Sequence, residues 1–324
     1  MTHAMRLHQT GGPEVLCWEE IDVPAPAPGE ARVRQAAVGL NFIDIYHRNG
    51  LYPLPLPSGI GLEGAGVVEA VGAGVSEVAV GDRVAYAGGP LGAYAEVRNM
   101  PAHRLLKLPD SISFETAAAM MLQGLTAAYL LRRTYRVQAG DAVLIHAAAG
   151  GVGLIAGQWA KALGATVIGT VGSAAKVELA KAHGYDHVIN YATEDFPRRV
   201  REITAGAGVA VVYDGVGKDT FSGSLDCLRP MGMMVTYGNA SGPVPPLDLL
   251  QLTQKGSLYV TRPTLMQYTA RREDLLAFAA ELFAVVAAGQ VRIEINQRYA
   301  LAAAANAQRD LEARRTTGST ILLP

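Results

Sequence analysis

The sequence runs to 324 residues, 50% apolar and 18% charged, with a net charge of −1. Such a length holds two ordinary domains or one large one, and a chain this apolar is not a disordered one. Lysine and arginine are dispersed among the acids, so no basic stripe points to nucleic acid as a partner.

The opening Met1-Thr-His-Ala-Met-Arg6 lacks the apolar run of a secretory signal. The two cysteines, Cys17 and Cys227, are too few for a disulfide framework or a four-sulfur zinc site, and a reducing, cytoplasmic setting is expected. Residues 21–30 (IDVPAPAPGE) alternate proline with alanine, end in a Pro-Gly turn signal and read as loop. The runs ARVRQAAVGL (31–40), GAGVVEAVGAGV (64–75), VGDRVAYAG (80–88) and GAYAEVRNM (92–100) are short, β-rich and bounded by glycine. That pattern predicts an antiparallel, partly closed sheet. Between them, the proline-rich GLYPLPLPSGIG (50–61) cannot be a central strand.

Near residue 141 the pattern changes to strand-like runs alternating with helix-length segments. AVLIH (142–146) precedes a helix from about 151 to Gly164, and ATVIGTV (165–171) precedes one with Ser173 as N-cap and Gly184 past its end. DHVIN (186–190) precedes a helix capped by Thr193, with Glu194 and Asp195 complementing the dipole. VAVVYD (209–214), MMVTYG (233–238) and SLYVT (257–261) follow, which makes six strands of a parallel, doubly wound α/β sheet covered on both faces. An amphipathic helix is predicted over 272–289, an Ala-rich one over 301–314, and a strand at the final ILLP. Residues 142–160 are uncharged and nearly long enough to span a membrane. Gly150, Gly151, Gly153 and Gly157 break them into strand, turn and helix, so no membrane partner is expected.

The chemical signal is the turn Ala148-Ala149-Gly150-Gly151-Val152-Gly153, a G-x-G-x-x-G fingerprint with alanine in first place. Small residues let backbone approach a pyrophosphate at a helix N-terminus. Tight helix–strand packing is the structural alternative, and the strand–turn–helix context favours the cofactor. An NAD site places an acid at the end of the second strand. Here that position reads Val171-Gly172-Ser173-Ala174-Ala175-Lys176, with no carboxylate before Glu178. Gly172 and Ser173 leave room for a 2′-phosphate and Lys176 supplies charge, unless it is merely a solvated helix lysine. A charge-assisted bond of about 1.5–3 kcal/mol gives a preference for NADPH on the order of ten- to a hundred-fold.

Gly140-Asp141-x-x-Leu144-x3-Ala148-Ala149-Gly150-Gly151-x-Gly153-x4-Gln158-x-x-Lys161 resembles the signature of the quinone oxidoreductase and ζ-crystallin family, a zinc-independent branch of the medium-chain dehydrogenases and reductases. Gly61-x-Glu63-x-x-Gly66-x5-Gly72-x-x-Val75, followed by Gly81-Asp82-Arg83-Val84, is similar to the superfamily's alcohol dehydrogenase signature. Where zinc enzymes carry a histidine ligand this chain has Leu62, and where they carry a cysteine and a relay hydroxyl it has Asn41 and Ile43. No metal site is expected. No G-x-S-x-G elbow, Tyr-x-x-x-Lys pair or G-x4-G-K-[S/T] loop points to another chemistry.

The resemblance implies a GroES-like, partly open β-barrel catalytic domain (1–124 and 264–324) and a six-stranded parallel Rossmann domain that binds NADPH (125–263). It implies that Asn41 and Tyr46 face the nicotinamide end, that Tyr191 lies beside the adenosine phosphate, and that Gly238, Asn239, Ser241 and Arg314 reach the cofactor. Thr126, Tyr129 and Val216 join Gly150, Gly151, Val152, Gly172, Ser173 and Lys176 in that set. Asn41 as a plain helix cap, Tyr191 as strand-end packing, and Arg315 in place of Arg314 are the alternatives. Tyr46 and Tyr52 are the candidates for a substrate slot, with no catalytic residue assigned. The implied activity is transfer of reducing equivalents from NADPH to a quinone; an alkenal or enone double-bond reductase and a non-catalytic NADPH-binding protein are the rivals. If 257–261 is the last strand of the sheet, its apolar outer edge is unpaired, and the resemblance implies a homodimer that pairs it.

Overall fold

In the computed structural model, which describes residues 2–324, the chain begins with short antiparallel strands. β1 (Thr2–Leu7) pairs with β2 (Leu16–Ile21), and the proline-rich 22–28 leaves the ladder because proline has no N–H to give. The long β3 (Glu30–Leu40) runs directly into α1 (Phe42–Arg48). β4 is two residues, Ser58–Gly59, on the outer side of β1, so the proline loop reaches only a sheet edge, as expected. β5 (Glu63–Val71), β6 (Arg83–Ala87), β7 (Val97–Pro101) and β8 (Leu106–Lys107) continue the antiparallel pattern up to α2 (Phe114–Tyr129). Register shifts in β3 at Arg32/Val33 and Gln35/Ala37 bend it, and it pairs with both β5 and β7.

The alternating region follows: β9 (Ala142–Ile145), α3 (Gly151–Ala162), β10 (Thr166–Val171), α4 (Val177–Lys181), β11 (His187–Asn190), α5 (Phe196–Ile203), β12 (Val209–Asp214), α6 (Phe221–Cys227), β13 (Leu228–Thr236), α7 (Leu250–Gln254) and β14 (Tyr259–Thr261). The sheet order is β11-β10-β9-β12-β13-β14, all parallel. Register sets Ile168, Leu144, Val212 and Met234 side by side across it, all fully buried. Such a sheet, apolar on both faces, is stable only when helices cover it. The uncharged 142–160 segment is a four-residue strand, a turn and most of a twelve-residue helix. Among the described residues no helix is long and apolar enough to cross a membrane.

Two caps differ from expectation. Asp195, not Thr193, caps α5, its carboxylate accepting from Arg198 N at 3.2 Å, while Thr193 Oγ1 donates back to the Asn190 carbonyl. The acid's fixed acceptor serves a helix end better than a hydroxyl that also seeks an acceptor of its own. Ser173 precedes a 3-10 turn (174–176), and its side chain makes no capping bond.

The chain continues through α8 (Leu265–Tyr268), α9 (Arg272–Ala287), β15 (Ile295–Ala300), α10 (Ala304–Glu312) and β16 (Ser319–Leu323). α9 buries Leu275, Phe278, Ala279 and Leu282, one stripe at helical spacing. β16 lies between β15 and β3, pairing Thr320 with Leu40, and completes a seven-stranded sheet. Two compact units result. One holds the chain up to Leu125 with Thr269–Phe283 and Ile293–Pro324; the other holds Thr126–Tyr268 with Ala284–Arg292.

Candidate active site

In the second unit the strand β9 ends in the glycine turn. Ala147 adopts a left-handed φ of 54°, Ala148 N bonds the Thr170 carbonyl at 2.9 Å, and Gly150 N bonds the Ala147 carbonyl at 2.9 Å. The first bond of α3 is Leu154 N to the Gly150 carbonyl. The N–H groups of Gly151, Val152 and Gly153 therefore lack intrahelical acceptors and form an anion cradle with the helix dipole behind them. Gly153 is there for packing as well: a Cβ would lie 2.3 Å from the Ala147 carbonyl oxygen. At Gly150 the nearest atom would be 3.2 Å away, which is tight but less restrictive. The packing reading of the turn holds at Gly153.

The end of β10 has no carboxylate to receive a ribose hydroxyl. Glu178 is exposed and paired with Lys181 at 2.9 Å. A Cβ on Gly172 would lie 2.8 Å from the Tyr191 hydroxyl, so glycine is what lets that phenol lie over the strand end. Ser173 is extended, and Lys176 closes the 3-10 turn with its N–H on the Ser173 carbonyl. Glycine, serine, lysine and a phenol suit an oxyanion better than a neutral diol.

The loops after β12 and β13 are tied together. The buried Asp214 accepts from Val216 N (2.7 Å), Gly217 N (3.1 Å) and Thr220 Oγ1 (2.9 Å). Ser241 donates from both N (2.8 Å) and Oγ (2.9 Å) to the Val216 carbonyl and accepts from Asp219 N, which makes it a loop fastener. Gly238 fits because a Cβ would strike the Gly215 carbonyl at 2.3 Å, and Asn239 follows it. Thr126 and Tyr129 are buried on α2, with Tyr129 stacked on Tyr268 at 4.6 Å. Arg262, which the sequence did not single out, donates to Thr236 Oγ1 (3.0 Å) and the Gly238 carbonyl (2.9 Å), placing a guanidinium at the carboxyl end of the sheet.

The first unit holds a different chemistry. Asn41 is the N-cap of α1, and Asp44 reaches back to accept from its N–H at 2.9 Å, so the cap reading is correct as far as it goes. Its side chain is turned elsewhere: Nδ2 donates to Glu63 Oε2 at 2.7 Å and Oδ1 accepts from Gln123 Nε2 at 3.2 Å. Glu63 also accepts from Leu122 N at 2.7 Å, and Asp44 from the Tyr94 hydroxyl at 2.8 Å. Asp44 and Glu63 are completely buried. Burial pushes Asp44 up to about 7 despite bonds from Asn41 and Tyr94. It pushes Glu63 up to about 8, with the Asp44 charge adding to the effect and N–H donors opposing it.

Tyr46 and Tyr52 come together edge to face at 5.2 Å, with Tyr52 N on the Tyr46 carbonyl. Tyr46 is buried, a helix residue rather than a loop residue. Arg314 sits after α10 on left-handed backbone (φ 58°); its neighbour Arg315 is ion-paired with Asp310, which also binds the Tyr299 hydroxyl. Leu62 is buried, and among the described residues no three His, Cys, Asp or Glu side chains group to hold a metal. Glu63 lay inside a quoted motif without a role, while Asp44, Gln123 and Ser319 carried no sequence signal at all.

Against known proteins, residues 27–110 match the alcohol dehydrogenase GroES-like domain family and residues 151–281 the zinc-binding dehydrogenase family. A quinone oxidoreductase of Pseudomonas aeruginosa is 59% identical over 97% of both chains. This chain belongs to the quinone oxidoreductase family. A crystal structure of Escherichia coli quinone oxidoreductase complexed with NADPH superposes with a TM-score of 0.98 at 51% identity over all of both chains. A 2-haloacrylate reductase of a Burkholderia species is 47% identical over 100% of this chain and 99% of its own. The two family matches put this quinone oxidoreductase-family chain beside the zinc-binding dehydrogenases in both of its matched regions.

Proposed function

We propose that this chain transfers reducing equivalents from NADPH to quinones, without zinc. The observation that carries the reading is the end of β10, where Tyr191 lies over Gly172 beside Ser173 and Lys176 and no carboxylate intervenes. Relatives named as quinone oxidoreductases and a similar structure holding NADPH support it. When bound, NADPH supplies the hydride. Gly150, Gly151 and Val152 receive its pyrophosphate on the α3 cradle, and Gly172, Ser173, Lys176 and Tyr191 receive its 2′-phosphate. Thr126, Tyr129, Val216, Gly238, Asn239, Ser241 and Arg314 complete the cofactor set, with Asn41 and Tyr46 at the nicotinamide end. Tyr46 and Tyr52 line the substrate slot. A quinone polarises its own carbonyls, so the chain has only to place it and allow a late proton, from water or from these phenols. With Tyr46→Phe, Tyr52→Phe together, turnover falls if a phenol is the donor and is unchanged if water is.

The deciding assay is loss of NADPH absorbance with 1,4-benzoquinone, beside NADH and an alkenal. Rapid NADPH-dependent loss with quinone is expected. Loss with the alkenal alone assigns the chain to double-bond reduction, the second reading, which the 2-haloacrylate reductase relative favours. Binding of NADPH without turnover on any acceptor leaves a cofactor-binding protein.

The reading extends to a homodimer in the cytoplasm. Among the described residues β14 pairs only with β13, and it carries the exposed Tyr259 at an edge that a second copy would cover. Sedimentation as a monomer at micromolar concentration overturns the dimer.

A further inference from the structure

We infer that Glu63 is a positioning residue whose protonation reverses the hydrogen-bond chain Glu63–Asn41–Gln123–Ser319 and so exchanges the donor and acceptor ends of the Asn41 amide. The four side chains are buried in one unit, drawn from β5, the α1 cap, α2 and β16. Their links are 2.7 Å (Glu63 Oε2 to Asn41), 3.2 Å (Asn41 to Gln123) and 2.7 Å (Gln123 to Ser319 Oγ). Beyond them, Ser319 Oγ lies 2.8 Å from the Ala119 carbonyl.

An ionised Glu63 can only accept, so it dictates every later link. Asn41 Nδ2 donates to it, Asn41 Oδ1 accepts from Gln123 Nε2, and Gln123 Oε1 faces Ser319. Ser319 then meets two acceptors, Gln123 Oε1 and the Ala119 carbonyl, with one proton to give. One of those contacts must go unmade, although the Ala119 carbonyl, inside α2, keeps its intrahelical donor. A proton on Glu63 Oε2 removes the conflict. Its O–H donates to the Asn41 oxygen, the Asn41 nitrogen donates to the Gln123 oxygen, and the Gln123 nitrogen donates to Ser319 Oγ. The Ser319 proton then goes to the Ala119 carbonyl. Amide oxygen and nitrogen occupy nearly equivalent positions, so two half-turns of amide groups suffice and the frame need not shift.

The groups facing Glu63 place this reversal near neutral pH. Burial raises its carboxyl, Asp44 on α1 raises it further, and the N–H groups of Asn41, Leu122 and Met121 oppose them. The Tyr94 phenol, bonded to Asp44, is itself held neutral far above its ordinary range by burial and by the two acids. The Gln123 and Ser319 side chains are neutral. The net position of Glu63 is about 8.

The reversal concerns this unit alone; its effect on cofactor rests on Asn41 being the nicotinamide contact proposed above. The test uses the full cofactor-free chain with 13C in glutamate carboxyls and 15N in Asn and Gln side chains, followed by NMR on both sides of the midpoint near pH 8. The Asn41 and Gln123 amide resonances are expected to shift with the midpoint of the Glu63 carboxyl, and to stay flat in Glu63→Gln, whose amide mimics the protonated acid. Amide resonances that ignore the Glu63 titration, or a Glu63 that does not titrate there, overturn the inference, and the wild-type measurement needs no variant to fold. NADPH fluorescence titration over the same range then separates the two readings. A several-fold change in Kd at that midpoint, absent in Glu63→Gln, supports both; an unchanged Kd beside shifting amides removes Asn41 from the cofactor contacts and leaves the reversal standing.

Discussion

The two units present polar groups of different materials. At the α3 cradle the groups on offer are backbone N–H donors held by glycines. Around Asn41 they are side chains, and two of the three that bond its N–H and amide are buried acids. A backbone site has one fixed polarity and fails only if its path is altered, whereas a buried acid site has a polarity that protons can change.

The difference is broken most severely at Gly153. A Gly153→Val side chain would enter the Ala147 carbonyl, so loss of NADPH binding and a destabilisation on the order of 1–3 kcal/mol are expected, read by fluorescence and by denaturant midpoint.

A second contrast is the pH dependence of stability, cumulatively larger but spread over several pH units. Glu63 has a folded value near 8 against an ordinary 4.5, so the folded chain keeps a proton that the unfolded chain has released. That stabilisation is full below 4.5 and is lost as pH rises through 8. Between those limits wild type should lose about 1.4 kcal/mol per pH unit relative to Glu63→Gln, which has no such proton. Parallel stability curves would show that Glu63 is ionised throughout.

Smaller effects sharpen the contrast at the phosphate end. Lys176→Ala should weaken NADPH by about ten- to a hundred-fold while sparing NADH, as measured by their two Kd values. Smallest is the cap: Asp195→Ala should cost about 1 kcal/mol, and Thr193→Ala less, by thermal unfolding.

The cradle and the acid network were also unequally legible in the sequence. The cradle is local: a strand, six residues of turn and a helix start lie within Ala142–Ala162, so spacing alone exposes them. The doubly wound sheet was readable for the same reason, each strand announcing itself by an apolar run. The acid network is not local. Asn41, Glu63, Gln123 and Ser319 are separated by long stretches of chain and meet only because β16 lies against β3 and α2 runs past both. Single Gln and Ser residues carry no pattern, and a Glu in an apolar stretch looks the same whether it is solvated or fully buried. The cap of α5 was missed on a finer scale: Thr193 and Asp195 are both good caps, and where the chain turns decides between them.

The pairing of Thr320 with Leu40 also sets an order of assembly. The first unit is interrupted by the second, whose sheet runs through one continuous stretch, Ala142–Thr261. Joining β16 to β3 across a fully flexible intervening chain would carry the whole loop-closure entropy of that stretch. Once the inserted unit has collapsed, much of that freedom is already gone, and the two ends search a smaller volume. β16 is therefore the late arrival, and Ser319 with it, so the hydrogen-bond chain at Asn41 closes only after the inserted sheet has formed.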